Sequence, residues 1–108
     1  MMHNQPEIDV IRDIIVRTAA PERVYLFGSY AYGTPDQDSD YDFYVLVPDS
    51  VKSPGMVTDD IYRALYKKTN QKPVDILVKR TTDFEKRKHL PTMEREVYTK
   101  GVILYGNA

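Results

Sequence analysis

Three carboxylates and a glycine-serine turn are the residues of this sequence equipped to do chemistry. Asp40 and Asp42 flank Tyr41 at the start of an apolar run. Asp75 interrupts another, Val74-Asp75-Ile76-Leu77-Val78, and Gly28-Ser29 directly follows Val24-Tyr25-Leu26-Phe27. Strand side chains alternate, so Asp40 and Asp42 would present two carboxylates to one point while Tyr41 points away. Hard oxygen ligands of this kind suit Mg²⁺ rather than zinc. The plainer reading is an acidic turn, to which Asp36, Asp38 and Ser39 also belong. Glycine lets the backbone turn sharply and approach a ligand, and serine adds a hydroxyl beside amide donors at a helix start. That makes a phosphate seat, or equally a helix-capping serine after a tight turn. Asp75 must find a partner or a cation, because burying it unpaired is expensive. It caps a strand end, pairs with Lys72 or Lys79, or joins a metal site, the last only if its strand lies beside that of Asp42.

Coulomb arithmetic says what such a trio is for. Two like charges about 4 Å apart repel by roughly 4 kcal/mol at an effective dielectric of 20. Three clustered carboxylates are therefore unfavourable unless cations join them. Two Mg²⁺ ions turn the cluster into a site that binds a triphosphate and stabilises both the attacking and the leaving oxygen.

The elements that must position these groups follow from pattern. Residues 6–19 read as an amphipathic helix with Ile8, Ile11, Ile14, Ile15 and Thr18 at helical spacing and Pro6 in the first turn. Residues 24–27 read as a buried strand, the stretch to Ser39 as a loop with or without a short helix, and residues 42–47 as a second strand ended by Pro48. After a Ser/Pro/Gly loop over residues 49–56, a helix is expected over 59–69. Thr58 is its N-cap, Asp59 and Asp60 lie at its positive end, Lys67 and Lys68 at the other. Ile61, Tyr62, Leu65, Tyr66 and Thr69 form its inner stripe. A third strand covers 74–78, a basic loop with some helix 79–89, a last helix 91–100 closed by Gly101, and a final strand 102–105. The order predicts a small α/β sandwich on one sheet, in a single domain spanning 1–108.

Composition narrows the partners. A formal net charge of −1 argues against non-specific nucleic-acid binding, which needs a basic excess. There is no cysteine, and His3 and His89 are too few for a zinc site. No apolar run approaches the roughly 20 residues that span a bilayer. The acidic, proline-bearing amino terminus does not read as a signal peptide. A cytoplasmic protein is the expectation.

Gly28-Ser29, ten residues, then Asp40-x-Asp42 resembles the GS-x10-D-x-D signature of the minimal nucleotidyltransferases in the DNA polymerase beta superfamily. The flanking text is similar too: Leu26-Phe27-Gly28-Ser29-Tyr30-Ala31-Tyr32-Gly33, Val74-Asp75-Ile76-Leu77, and the closing Gly101-Val102-Ile103-Leu104-Tyr105. The resemblance spans nearly the whole chain and implies an α+β fold, a single mixed sheet flanked by helices. It implies roles as well. Asp40 and Asp42 would hold both metals, and Asp75 would ligate the catalytic metal and help deprotonate the acceptor hydroxyl. Gly28 and Ser29 would grip the triphosphate of ATP. One departure stands out: the family often has Arg where this chain has Tyr32, and a neutral hydroxyl is a weaker phosphate partner. Lys79, Arg80, Lys86, Arg87 and Lys88 could replace that charge or could form a partner-facing surface. Tyr30 and Tyr41, near the site, are candidates to stack on a nucleobase.

The sheet uses nearly all of the residues, so the acceptor is expected to be another protein. The family precedent is the antitoxin partner of a HEPN-domain ribonuclease toxin, which transfers AMP to a tyrosine hydroxyl of that toxin in a heteromeric complex. Two alternatives are a small-molecule nucleotidyltransferase completed by a separate helical subunit, and an antitoxin that acts by contact alone.

Overall fold

A run of isoleucines at helical spacing forms helix α1 (Pro6–Ala19), as its pattern predicts. The computed structural model describes residues 6–36, 38–68 and 73–107. His3, Thr69 and Lys72, which the sequence reading involved, lie outside them. In α1 the four isoleucines are buried, while Thr18 is exposed and does not join the stripe. Strand β1 (Arg23–Phe27) leads into the one-turn helix α2 (Ser29–Tyr32), and then β2 (Tyr41–Val47). Helix α3 (Pro54–Tyr66), β3 (Val74–Arg80), α4 (Thr81–Arg87), α5 (Met93–Lys100) and β4 (Val102–Tyr105) complete the order.

The strands form one mixed sheet in the order β3-β2-β1-β4. β1 runs antiparallel to β2 and to β4, whereas β2 and β3 are parallel. Strand alternation gives each face its own core. On the first, Val24, Leu26, Tyr41, Phe43, Val45, Val47, Ile76 and Val78 pack with the isoleucines of α1 and with Ile61 and Leu65 of α3. On the second, Tyr25, Tyr44 and Leu46 pack under Phe84 of α4 and Val97 of α5. None of the helices described is long and apolar enough to cross a membrane.

Local chemistry corrects several expected boundaries. Helix α3 starts five residues before the expected position, because Ser53 rather than Thr58 is its N-cap and Pro54 takes the first turn, where a missing N–H costs nothing. The Ser53 hydroxyl accepts from the Met56 amide at 3.2 Å, while Thr58 donates to the Pro54 carbonyl from inside the helix. Tyr66 is 83% exposed and Tyr62 half-exposed, so the buried stripe is Ile61 and Leu65. The basic stretch after β3 is mostly helix α4, and the last helix begins at Met93 with Thr92 as its cap. Ser53→Ala should lower stability by about 1 kcal/mol in urea unfolding. A larger loss from Thr58→Ala would move the start of the helix back to residue 58.

Candidate active site

The register of the two parallel strands places Asp42 directly opposite Asp75. In-register neighbours point to the same face, so both carboxylates stand on the second face at the sheet's open end. They are within hydrogen-bonding reach of one another. Partial burial, then the charge of Asp75 and its hydrogen bond, then the charge of Asp40, push the Asp42 carboxyl up to about 6. Asp40, just outside the strand, is thus close enough to be felt. Among the described residues, however, no three His, Cys, Asp or Glu side chains are gathered closely enough to hold an ion as they stand. Asp42 and Asp75 form a pair, and bringing Asp40 onto it takes a turn of its half-exposed side chain. Like charges keep apart where no cation joins them. The donor set fits Mg²⁺: hard carboxylate oxygens, one of them with its proton affinity raised by burial and then by its like-charged neighbours.

The Gly28 turn closes the other side of Asp42. Gly28 has φ 74°, and a Cβ at this position would overlap Asp42 Oδ2. Glycine is required here twice, by backbone conformation and by the carboxylate against it. Gly28 itself caps α2 without a side-chain bond, so Ser29 is the helix's first residue and not its capping serine. The amides of Ala31 and Tyr32 are bonded to the Gly28 carbonyl, which leaves those of Ser29 and Tyr30 at the start of α2 as donors for a ligand. The acidic turn is real too, but separate. Asp36 accepts from the Asp38 amide at 2.8 Å, and the Asp36 amide donates to Ser39 Oγ at 2.9 Å.

Other residues fall into place around this core. Tyr41 points away as expected, and it is buried. It donates to Glu7 Oε1 at 2.6 Å and packs against Tyr30 at 4.6 Å between ring centroids, so its ring is not open to a nucleobase. The Tyr32 hydroxyl is sealed from water with no hydrogen bond of normal geometry. Burial first, then the charges of Glu96 and Asp42, raise its pKa, with the Gly28 backbone acting in the opposite sense. Position 32 therefore faces the carboxylates. Sequence reasoning missed Glu94, which is 7% exposed on α5. It accepts from Tyr44 Oη at 2.8 Å and from Arg87 Nε at 2.9 Å. The signal was present: Glu94 and the buried Val97 are three residues apart on one helix face.

The raised Asp42 carboxyl gives a pH signature with a definite sign. In the unfolded chain it ionises near 3.8, in the fold near 6. As pH rises through that window the unfolded state loses its proton first, so this group's contribution to stability falls and then levels above about 6. In chelator, the melting temperature of Asp42→Asn relative to the parent should rise between pH 4 and pH 7. A flat difference would mean that the carboxylates do not crowd one another.

Comparison with known proteins gives the family and the fold. The family model for the polymerase beta nucleotidyltransferases matches residues 9–108. No curated protein matches the sequence. Among solved structures, the chain is similar to one in a toxin-antitoxin crystallised with AMP-PNP, at 25% identity and a TM-score of 0.55 over 95% of this chain and 75% of that one. It is also similar to a chain from a mutant of the toxin-antitoxin MntA-HpeT, at 27% identity and a TM-score of 0.54 over 96% and 75%. A structure from Shewanella oneidensis at 19% identity shares the fold, with a TM-score of 0.55 over 96% and 74%.

Proposed function

This chain belongs to the polymerase beta nucleotidyltransferase family, and from that premise we propose that it transfers AMP from ATP to a tyrosine hydroxyl of a HEPN-type toxin, acting as that toxin's antitoxin. The observation that carries the reading is the Asp42–Asp75 pair on adjacent parallel strands, pressed against the Gly28 turn. Its partner class is supported by similarity to chains of toxin-antitoxin complexes, one of them with AMP-PNP.

In this reading Asp40 and Asp42 hold two Mg²⁺ ions and Asp75 joins them at one. Bound Mg²⁺ supplies charge neutralisation for the triphosphate and polarises the reacting phosphoryl oxygens. The chain's own groups do the rest. The bare Gly28 backbone lets the triphosphate tail come close, and the Ser29 hydroxyl with the first amides of α2 donates to it. Asp75, exposed on the edge strand β3, takes the proton of the acceptor hydroxyl. The acceptor oxygen bonds to the α-phosphorus, the bond to the β-phosphate oxygen breaks, and pyrophosphate leaves with that electron pair.

The direct test incubates the protein with labelled ATP, Mg²⁺ and the product of the adjacent gene as the candidate toxin, then seeks an added AMP on tyrosine by mass spectrometry. Asp75→Asn should lower the rate at least about a hundredfold, the lower end of general acid–base contributions. Neutralisation of the toxin without any transfer would favour an antitoxin that acts by contact alone. Tyr32→Arg should tighten triphosphate binding about tenfold, the scale of one added charge-assisted bond. Equal or weaker binding in calorimetry would show that position 32 does not reach the phosphates.

A further inference from the structure

Along the same face as the carboxylate pair lies a cavity of about 440 Å³, lined by Tyr44, Lys79, Asp83, Lys86, Arg87 and Glu94. Tyr44 is two residues past Asp42 on β2 and Lys79 four past Asp75 on β3, so both share the carboxylates' side of the sheet. At about 3.3 Å per residue the cavity begins roughly 7 Å from the pair. Lys79 places one wall of it on the edge strand β3. The Gly28 turn meets Asp42 from β1, on the opposite side. A triphosphate seated at Gly28 leaves the cavity beside the approach to Asp75, where an acceptor hydroxyl must arrive.

The charge of the cavity is not what a count of its residues suggests. Glu94 is committed, one oxygen to Tyr44 and the other to Arg87. Burial on its own raises the Glu94 carboxyl, but the bonds from Arg87 and Tyr44 outweigh it and hold it below its usual range. What faces an entering group is Lys79, Lys86 and the remaining N–H donors of Arg87, against Asp83. Lys86 and Arg87 also suit the carboxyl end of α4. That explains their place on the helix, though not their convergence with a strand lysine over a rigid Tyr44–Glu94 floor. The neighbouring cations are used otherwise: Arg80 donates to the carbonyls of Val51 and Lys52, and Lys88 pairs with Glu85 and lies over the Tyr98 ring.

We propose that this cavity docks an acidic segment of the acceptor protein and so holds the target hydroxyl beside Asp75. The inference rests on the transfer reading above. A carboxylate-bearing segment matches the unspent cations, and the concave site concentrates their field. RNA is the poorer fit, since a chain of net charge −1 offers little counterion release.

The test is the double charge reversal Lys79→Glu with Lys86→Glu in the full chain, assayed for transfer to the adjacent-gene protein. KM for that protein should rise about tenfold or more while KM for ATP and kcat stay at the parent values. The salt dependence of the acceptor KM should shrink, and Lys79→Arg with Lys86→Arg should restore the parent behaviour. An unchanged acceptor KM overturns the proposal, and a matching rise in the ATP KM assigns the cavity to the nucleotide instead. An effect that vanishes once the partner has been treated with nuclease assigns it to RNA and overturns the proposal as well. If the parent chain transfers nothing to its partner, the failure lies in the transfer reading, and this inference falls with it.

Discussion

Two carboxylates held side by side on adjacent parallel strands are a repulsion that the rest of the molecule must absorb. Neither can retreat. Asp42 sits in β2, whose other residues are all buried and which is bonded on both sides, so its backbone has no slack. On one flank stands Asp75, fixed in register; on the other, the Gly28 turn makes room for the Asp42 carboxylate where a Cβ would overlap it. Burial first, and then the charge of Asp75, raise the proton affinity of Asp42. A fold that keeps such a pair is poised to gain stability from any cation that joins it.

The division of labour between the two faces follows from alternation along β2. Tyr41 and Tyr44 point to opposite faces on either side of Asp42, and each donates a hydrogen bond from its hydroxyl to a helix glutamate, Tyr41 to Glu7 of α1 and Tyr44 to Glu94 of α5. Burial and these acceptors raise both phenols well above their usual range. Such bonds tie a helix to the central strand across each core. The first face is sealed by α1 and α3. The second is covered only as far as Phe84 and Val97 reach, and the carboxylates occupy what is left open.

Much of this was legible in the residues. The strands and α1 came from periodicity, and the Gly-Ser turn from composition. Whether Asp75 lay beside Asp42 was a question of strand order, which no local pattern contains; the β2–β3 pairing sets the two opposite each other, while Asp40, outside β2, is not gathered with them. The start of α3 was misplaced because Ser53-Pro54-Gly55 reads as loop by composition, whereas a capping serine and a first-turn proline are also how helices begin. Tyr66 was placed inside by its spacing and lies outside, since helical spacing selects a face and not how far the core extends along it. For Glu94 the pattern gave only the helix face it shares with Val97, not its burial. A buried glutamate is expected only once its Tyr44 and Arg87 partners, distant in sequence, are known.

The departure at Tyr32 shows how the site trades charge against burial. An arginine there would face Asp42 and Glu96, both of which act on the Tyr32 hydroxyl, and would offset the carboxylates as well as reach a phosphate. Tyrosine carries no charge to offset them, and its buried hydroxyl has no hydrogen bond of normal geometry. Lys79, Lys86 and Arg87 lie down the strands toward α4, on the flank away from Gly28. In the proposed reading, a side chain at position 32 would act on the nucleotide and the cavity on whatever approaches Asp75, so the two halves of the transfer would be charged independently on one face of a small sheet.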